Sequence, residues 1–341
     1  MSDAALSSAP RERGWRRLLP ALALFLVVPA TPLLRVITPV EETILLLVSA
    51  LAACALVGWW LGGRASLAIG WCAIAGWLLA RAAWAGRSDY DRLACGWALV
   101  LGGACGVASL LDPRRPFLTR ALTALCVAGG VGSVALAAGR IPAAAVGEAV
   151  RTEIAARHAP FMAQWRELRA APALRDLEAR DSAAGDELES WTASYEALPA
   201  LVARAFPALL FLESLAAMGL AWSLYHRMSR TRIGPPLAPL RQFRFSDQLV
   251  WGLIVGLVIA AVPSLAGLRG LGVNLLVFFG ALYALRGLGV LSWLFKPGWP
   301  TTVAIAVTTP LLFPLYAAGA LAFGVGDTWI DWRRRPARPT P

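Results

Sequence analysis

The sequence predicts an all-α protein, a polytopic bundle of eight or nine membrane spans with one amphipathic helical insert outside the membrane. Three observations predict it. Apolar residues make up 58% of the chain and charged residues only 16%, whereas soluble domains average about 25% charged. The apolar residues come in blocks of about 20, the length that crosses about 30 Å of hydrocarbon. No block alternates apolar and polar residues as barrel strands do, so each must satisfy its backbone within a helix. The formal charge of +11 comes almost wholly from arginines. Most sit in short loops between blocks, where basic residues orient membrane helices. That placement argues against a nucleic-acid partner.

Taken in order, the candidate spans are Leu18–Val36, Thr43–Leu61, Ser66–Ala85, Leu93–Leu111, Thr119–Ala138, Leu201–Tyr225, Gln248–Leu268, Leu271–Phe295 and Thr301–Phe323. The first follows Arg11, Arg13, Arg16 and Arg17 and resembles a signal peptide. It reads as an uncleaved span, because no small-residue cleavage site follows and the apolar pattern continues to Val36. Residues 1–17 form a basic N-terminus, 18–139 an N-terminal bundle of about five spans, 140–199 the insert, 200–332 a C-terminal bundle of three to four spans, and 333–341 a basic, Pro-rich tail. The last apolar run is interrupted by Pro310 and Pro314, which remove helical hydrogen bonds.

Charge sets the expected orientation in a bacterial inner membrane. The basic N-terminus is cytoplasmic, so five spans place the insert outside. The insert carries seven Arg and ten Asp or Glu and is mildly acidic. The next loop, with Arg227, Arg230, Arg232, Arg241 and Arg244, returns to the cytoplasm. Three further spans would leave Arg333, Arg334 and Arg335 outside, against the same tendency. Either the Pro-broken run does not cross fully, or an earlier run is not a span, or the rule fails here.

Within the insert, Val146, Val150 and Ile154 repeat at helical spacing, and Leu174, Leu177, Leu188, Trp191, Tyr195 and Leu198 form a looser apolar set. Two or three amphipathic helices are predicted, interrupted at Pro160, at Pro172 and around Gly185. They form a cap or a partner-binding surface. Gly252, Gly256 and Ala260, then Gly280, Ala284 and Gly287, are small residues spaced for close helix packing, within the bundle or against another membrane subunit.

Few residues carry chemistry. Cys54, Cys72, Cys95, Cys105 and Cys126 lie in or beside apolar runs without ligand spacing, and His158 and His226 are isolated, so neither metal nor cofactor is expected. Glu213 and Arg286 stand near the middle of their runs. A charge there costs about 3 kcal/mol even on the lenient scale, so each must face the bundle interior and find a partner. The two pair with each other, or jointly line a polar cavity, or only fix helix packing. Asn274 opens the span of Arg286 and can bond a neighbouring helix or its own. Glu213, Asn274 and Arg286 are the candidate substrate-binding groups. Asp327 and Asp331 share a helical face, and Trp329 and Trp332 suit a membrane interface. Gly324-Val325-Gly326-Asp327 matches the GxGD motif of intramembrane aspartyl proteases, with Tyr90-Asp91 as its formal partner. Both aspartates lie outside the spans, and no Pro-Ala-Leu follows Asp327.

The C-terminal third also carries three segments in a telling order: Phe243-Arg244-Phe245-Ser246-Asp247-Gln248-Leu249-Val250-Trp251, then Gly272-Val273-Asn274-Leu275-Leu276 continuing to Gly287-Leu288-Gly289-Val290, then Gly326-Asp327-Thr328-Trp329-Ile330-Asp331. Together with a Pro-led span from Pro199, they resemble the YybS-like family of bacterial membrane proteins, which is similar at fold level to the substrate-binding S components of energy-coupling-factor transporters. The resemblance implies a non-enzymatic transport subunit that captures a small molecule from outside and docks on an ATP-driven module. The alternative is an envelope scaffold or assembly factor acting through residues 140–199.

Overall fold

The protein is described from a computed structural model that covers residues 14–16, 18–85 and 88–333. The expected roles of Arg11, Arg13, Arg17, Arg334 and Arg335 lie outside the described residues. Among the described residues every regular element is a helix and there are no strands. The helices are α1 Leu18–Val27, α2 Pro32–Arg35, α3 Val40–Trp60, α4 Ala65–Ala85, α5 Asp89–Leu111, α6 Phe117–Ala138, α7 Ala143–Arg169, α8 Pro172–Arg180, α9 Ser182–Met228, α10 Val250–Ala261, α11 Arg269–Phe295 and α12 Trp299–Ile330. Six are long and apolar enough to cross a membrane: α3, α4, α5, α6, α9 and α11 with the turn before it. A seventh is reached if the bent α12 counts as one span.

The chain divides into two compact units, residues 1–206 with 213–237, and residues 207–212 with 238–341. In the first unit α3 is the central element, with 78% of its apolar window buried, whereas α4 lies at the periphery with 11%. The α3 sequence explains this. Ala50, Ala52, Ala53, Cys54 and Ala55 keep its surface slim, so neighbours on several sides approach it.

The first expected span is not one helix. The chain breaks after Val27 into a 3₁₀ turn at Val28–Ala30 and then the short α2, where Pro29 and Pro32 withhold backbone donors. The segment still traverses the unit. At one end Arg227 Nε, in the last turn of α9, donates to Gly14 O at 3.2 Å; at the other, α2 packs against α7 of the insert.

The insert folds on itself. Trp165 Nε1 donates to Thr192 Oγ1, Arg169 binds both Thr192 and Glu178, and Phe161, Trp165 and Tyr195 stack edge to face. The helix breaks differ from expectation. Pro160 lies within α7, Gly185 lies within α9, and only Pro172 opens a helix.

Helix α9 is 47 residues long and runs through Pro199 and Pro207. At about 1.5 Å per residue it spans about 70 Å, twice the hydrocarbon thickness. Its charged first third, with Asp186, Glu187, Glu189 and Glu196, therefore stands clear of the lipid. Both prolines cost the helix a hydrogen bond, and beside each a distant side chain bonds the backbone. Pro199 has no N–H to give to the carbonyl of Tyr195, and His158 Nε2 on α7 supplies one at 2.9 Å. Just past Pro207, the Ala208 N–H is taken by Asn274 Oδ1 at 2.8 Å.

In the second unit α10 and α11 pack through small residues. A methyl group on Gly252 would stand 2.3 Å from the Phe279 ring, and one on Gly272 would stand 2.9 Å from Ala260 N. The stripe at Gly252, Gly256 and Ala260 is thus spent on internal packing. Gly287 and Gly324 face the α11–α12 crossing, where added methyls would meet the carbonyls of Ala320 and Tyr283 at 1.7 and 1.8 Å. Helix α10 has 12 residues and is shorter than the span expected over Gln248–Leu268. Helix α12 bends by 118° between Thr309 and Leu312, where Pro314 leaves the carbonyl of residue 310 without its helical donor.

Candidate functional site

Among the described residues, two concentrations of ionisable side chains stand out. The first is a cavity of about 530 Å³ within the N-terminal unit, at the insert end of α3, α4 and α5. Glu41 and Glu42 open α3, Arg81 lies one turn before the end of α4, Tyr90 and Asp91 open α5, and Glu153 and Arg157 reach in from α7. Apolar walls come from Ile44, Leu45 and Leu78. The sequence places these groups by local rules. Acidic residues favour helix N-terminal turns, as Glu41, Glu42 and Asp91 do here. Ser88 and Asp91 form a reciprocal capping box at the head of α5.

Glu42 is buried, and Tyr90 donates its hydroxyl to Glu42 Oε2 at 2.5 Å. The Arg157 guanidinium lies 4.6 Å from the Tyr90 ring centre and donates to Glu153 at 3.0 Å. Burial works against the Arg157 charge, but Tyr90, Glu153 and Glu42 outweigh it and hold its pKa above the ordinary arginine value. Arg35 pairs with Glu41 at 2.8 Å. Arg81 stacks on Trp77 at 5.5 Å, and among the described residues no carboxylate lies within pairing distance of it. The net result is a cleft with fixed charges of both signs in which, among the described residues, Arg81 lacks a carboxylate partner.

Glu213 stands behind this cavity. It is buried, and Thr43, next to Glu42 in the chain, contacts its Oε1 at 2.8 Å. The neighbouring Ser214 accepts from Trp97 Nε1 at 2.9 Å.

The second concentration is a closed clasp in the C-terminal unit. Arg286 Nε donates to Asp327 Oδ2 at 2.9 Å, its Nη2 to the Asp327 carbonyl at 3.0 Å, and its Nη1 to Asp247 Oδ1 at 2.7 Å. Arg333 donates to Asp327 Oδ2 at 2.8 Å and to the carbonyls of Arg241 and Phe243. Arg244 pairs with Asp331. The clasp brings residues 241–247 and 327–333 to the same end of the unit.

Sequence reasoning gave Glu213 and Arg286 to each other or to a shared cavity. The structure gives each its own partners, Thr43 for Glu213 and two aspartates for Arg286. Asn274 bonds its own helix, donating to Gly270 O at 2.8 Å, as well as Ala208. Asp327 is held between two arginines and Asp91 belongs to a capping box, so each is engaged elsewhere than in a shared-proton dyad. The cavity residues Glu42, Arg81 and Arg157 were not singled out from the sequence, and Tyr90 only as part of a formal protease motif. The signal for them was faint: single polar residues at the heads and ends of apolar runs.

Residues 177–328 match the family model described as "Predicted membrane protein (DUF2232)". The matched stretch contains Asp247, Arg286 and Asp327, whereas the cavity residues lie before it. No curated protein and no solved structure matches the chain. With six apolar helices of span length, the match supports a multi-pass membrane protein.

Proposed function

We propose that the protein is a non-enzymatic membrane subunit that binds a small, charged solute in the cavity of its N-terminal unit. The observation that carries this reading is Arg81 at the cavity wall, a cation with no carboxylate in pairing distance among the described residues, across a cleft from Asp91, Glu42 and Glu153. A volume of about 530 Å³ falls within the range of small-molecule pockets. Fixed charges of both signs suit a zwitterion whose anionic end meets Arg81. In this reading Arg286 and Asn274 serve the architecture, and of the three groups expected from sequence Glu213 alone stands near the cavity, behind its wall.

The charge distribution supports an outward-facing cavity. Gly63 lies by Thr231, and Arg120 Nη1 donates to Ile233 O at 2.9 Å. These contacts gather Arg64, Arg114, Arg115, Arg227, Arg230 and Arg232 at the end opposite the insert, which the positive-inside tendency assigns to the cytoplasm. The broken segment from Gly14 to Arg35 then counts as a crossing and keeps residues 140–199 outside. Arg333 sits with Arg241 and Arg244, so the tail returns to the cytoplasmic side if α12 re-enters at its bend instead of crossing. Eight passes in all fit this arrangement. Docking on an ATP-driven module is the partner this function calls for.

The test is non-denaturing mass spectrometry of protein purified in mild detergent. A small molecule should be retained by the wild type and lost from Arg81→Ala. Retention by both, or by neither after incubation with a panel of amino acids and short peptides, refutes the reading.

A further inference from the structure

The hydrogen-bond inventory behind the cavity leaves one proton unaccounted for. The Thr43 hydroxyl has a single hydrogen and two neighbours, Pro39 O at 3.0 Å and Glu213 Oε1 at 2.8 Å. A carbonyl only accepts, and an ionised carboxylate only accepts. With Glu213 ionised, one of the two contacts would set acceptor against acceptor. With Glu213 neutral, its acid O–H donates to Thr43 and Thr43 donates to Pro39, and both contacts are satisfied.

Burial points the same way. Glu213 is 8% exposed and Glu42 6%, and among the described residues no cation lies within 4.0 Å of either carboxylate. An isolated ionised carboxylate in such surroundings is costly enough that the group takes up a proton instead. The charged and titratable groups that act on Glu213 are Glu42 on α3 and Arg157 on α7, and those that act on Glu42 are Tyr90 and Asp91 on α5 with Glu153 and Arg157 on α7. Arg157, the one cation among them, is already engaged by Glu153 and the Tyr90 ring.

We propose that Glu213 is a proton-binding site, holding an acid proton at neutral pH that exchanges with the cavity by way of Glu42. Glu42 lines the cavity; Glu213 does not. Thr43 lies between them, adjacent to Glu42 in the chain and bonded to Glu213. This site is independent of whether a solute occupies the cavity, so its failure and the failure of the solute reading are separate results.

The test is infrared spectroscopy of the full chain in lipid at pH 7, in H₂O and in ²H₂O. The wild type should show the carbonyl stretch of a protonated carboxylic acid, shifted down in ²H₂O. Glu213→Gln should abolish that band. Glu213→Asp, which keeps an acid in place, should restore one. Thr43→Val should move the wild-type band to higher frequency, because the acid loses its hydrogen-bond acceptor, and this reading survives even if Glu213→Gln fails to fold. Glu42→Gln should keep the band but slow its deuterium shift. No protonated-acid band in the wild type, or a band that persists in Glu213→Gln, overturns the site. An unchanged exchange rate in Glu42→Gln overturns the route.

Discussion

Replacing Arg286 separates an architectural charge from a ligand-binding one. Its side chain is 4% exposed and the Asp327 side chain is 0% exposed, while Asp247 is 60% exposed. Arg286→Ala removes three hydrogen bonds and leaves Asp327 buried with Arg333 alone. Breaking a buried pair by deleting one member costs about 3 to 5 kcal/mol, mostly the penalty of the stranded partner. Asp247→Ala removes one bond at a solvated group and should cost about 1 kcal/mol or less. Replacing both members by apolar residues, Arg286→Met with Asp327→Leu, should cost less than either change alone. Denaturant titration in mixed micelles, read by tryptophan fluorescence, gives the three values. If Arg286→Ala is no more harmful than Asp247→Ala, the clasp does not hold the unit together and Arg286 must be sought in another role.

Three further outcomes follow from the packing. Gly287→Ala places a methyl 1.7 Å from a backbone carbonyl and should cost about 3 kcal/mol or more, whereas Gly280→Ala, with nothing within 4 Å, should be neutral or stabilising in the same titration. His158→Phe leaves the Tyr195 carbonyl unpaired at Pro199 and should cost about 1 kcal/mol, with local loosening visible as faster amide exchange around Tyr195. Spin labels at Ser190→Cys and Ala216→Cys should lie about 39 Å apart if α9 is continuous; a pulsed-EPR distance far below that would show the helix broken at a proline.

Much of the membrane architecture was legible because lipid imposes a length and a hydropathy on each crossing. The need of Arg286 for a partner was legible too, since a mid-span charge is too costly to leave alone. Its partners were not, because Asp247 and Asp327 lie 39 and 41 residues away, each near a helix end where an acidic residue reads as solvated. Thr43 is 170 residues from Glu213, and nothing in either neighbourhood signals the contact. Glu42 read as the hydrated threshold of a span starting at Thr43. It is buried because the insert folds Arg157 and Glu153 back over that threshold, a tertiary fact with no local pattern. Pro199 read as the lead of a span, whereas the helix that contains it begins at Ser182. His158, distant in sequence, supplies the donor that Pro199 lacks, and Asn274 accepts the Ala208 N–H beside Pro207.

The account stands on a wet, outward-facing cavity at the heads of α3 and α5. Ala94 lines it and is half-buried. In a background without native cysteines, Ala94→Cys should react with a membrane-impermeant maleimide added to intact cells, and free zwitterionic ligand should slow the reaction. Labelling that occurs only from the cytoplasmic face, or from neither face, would contradict it.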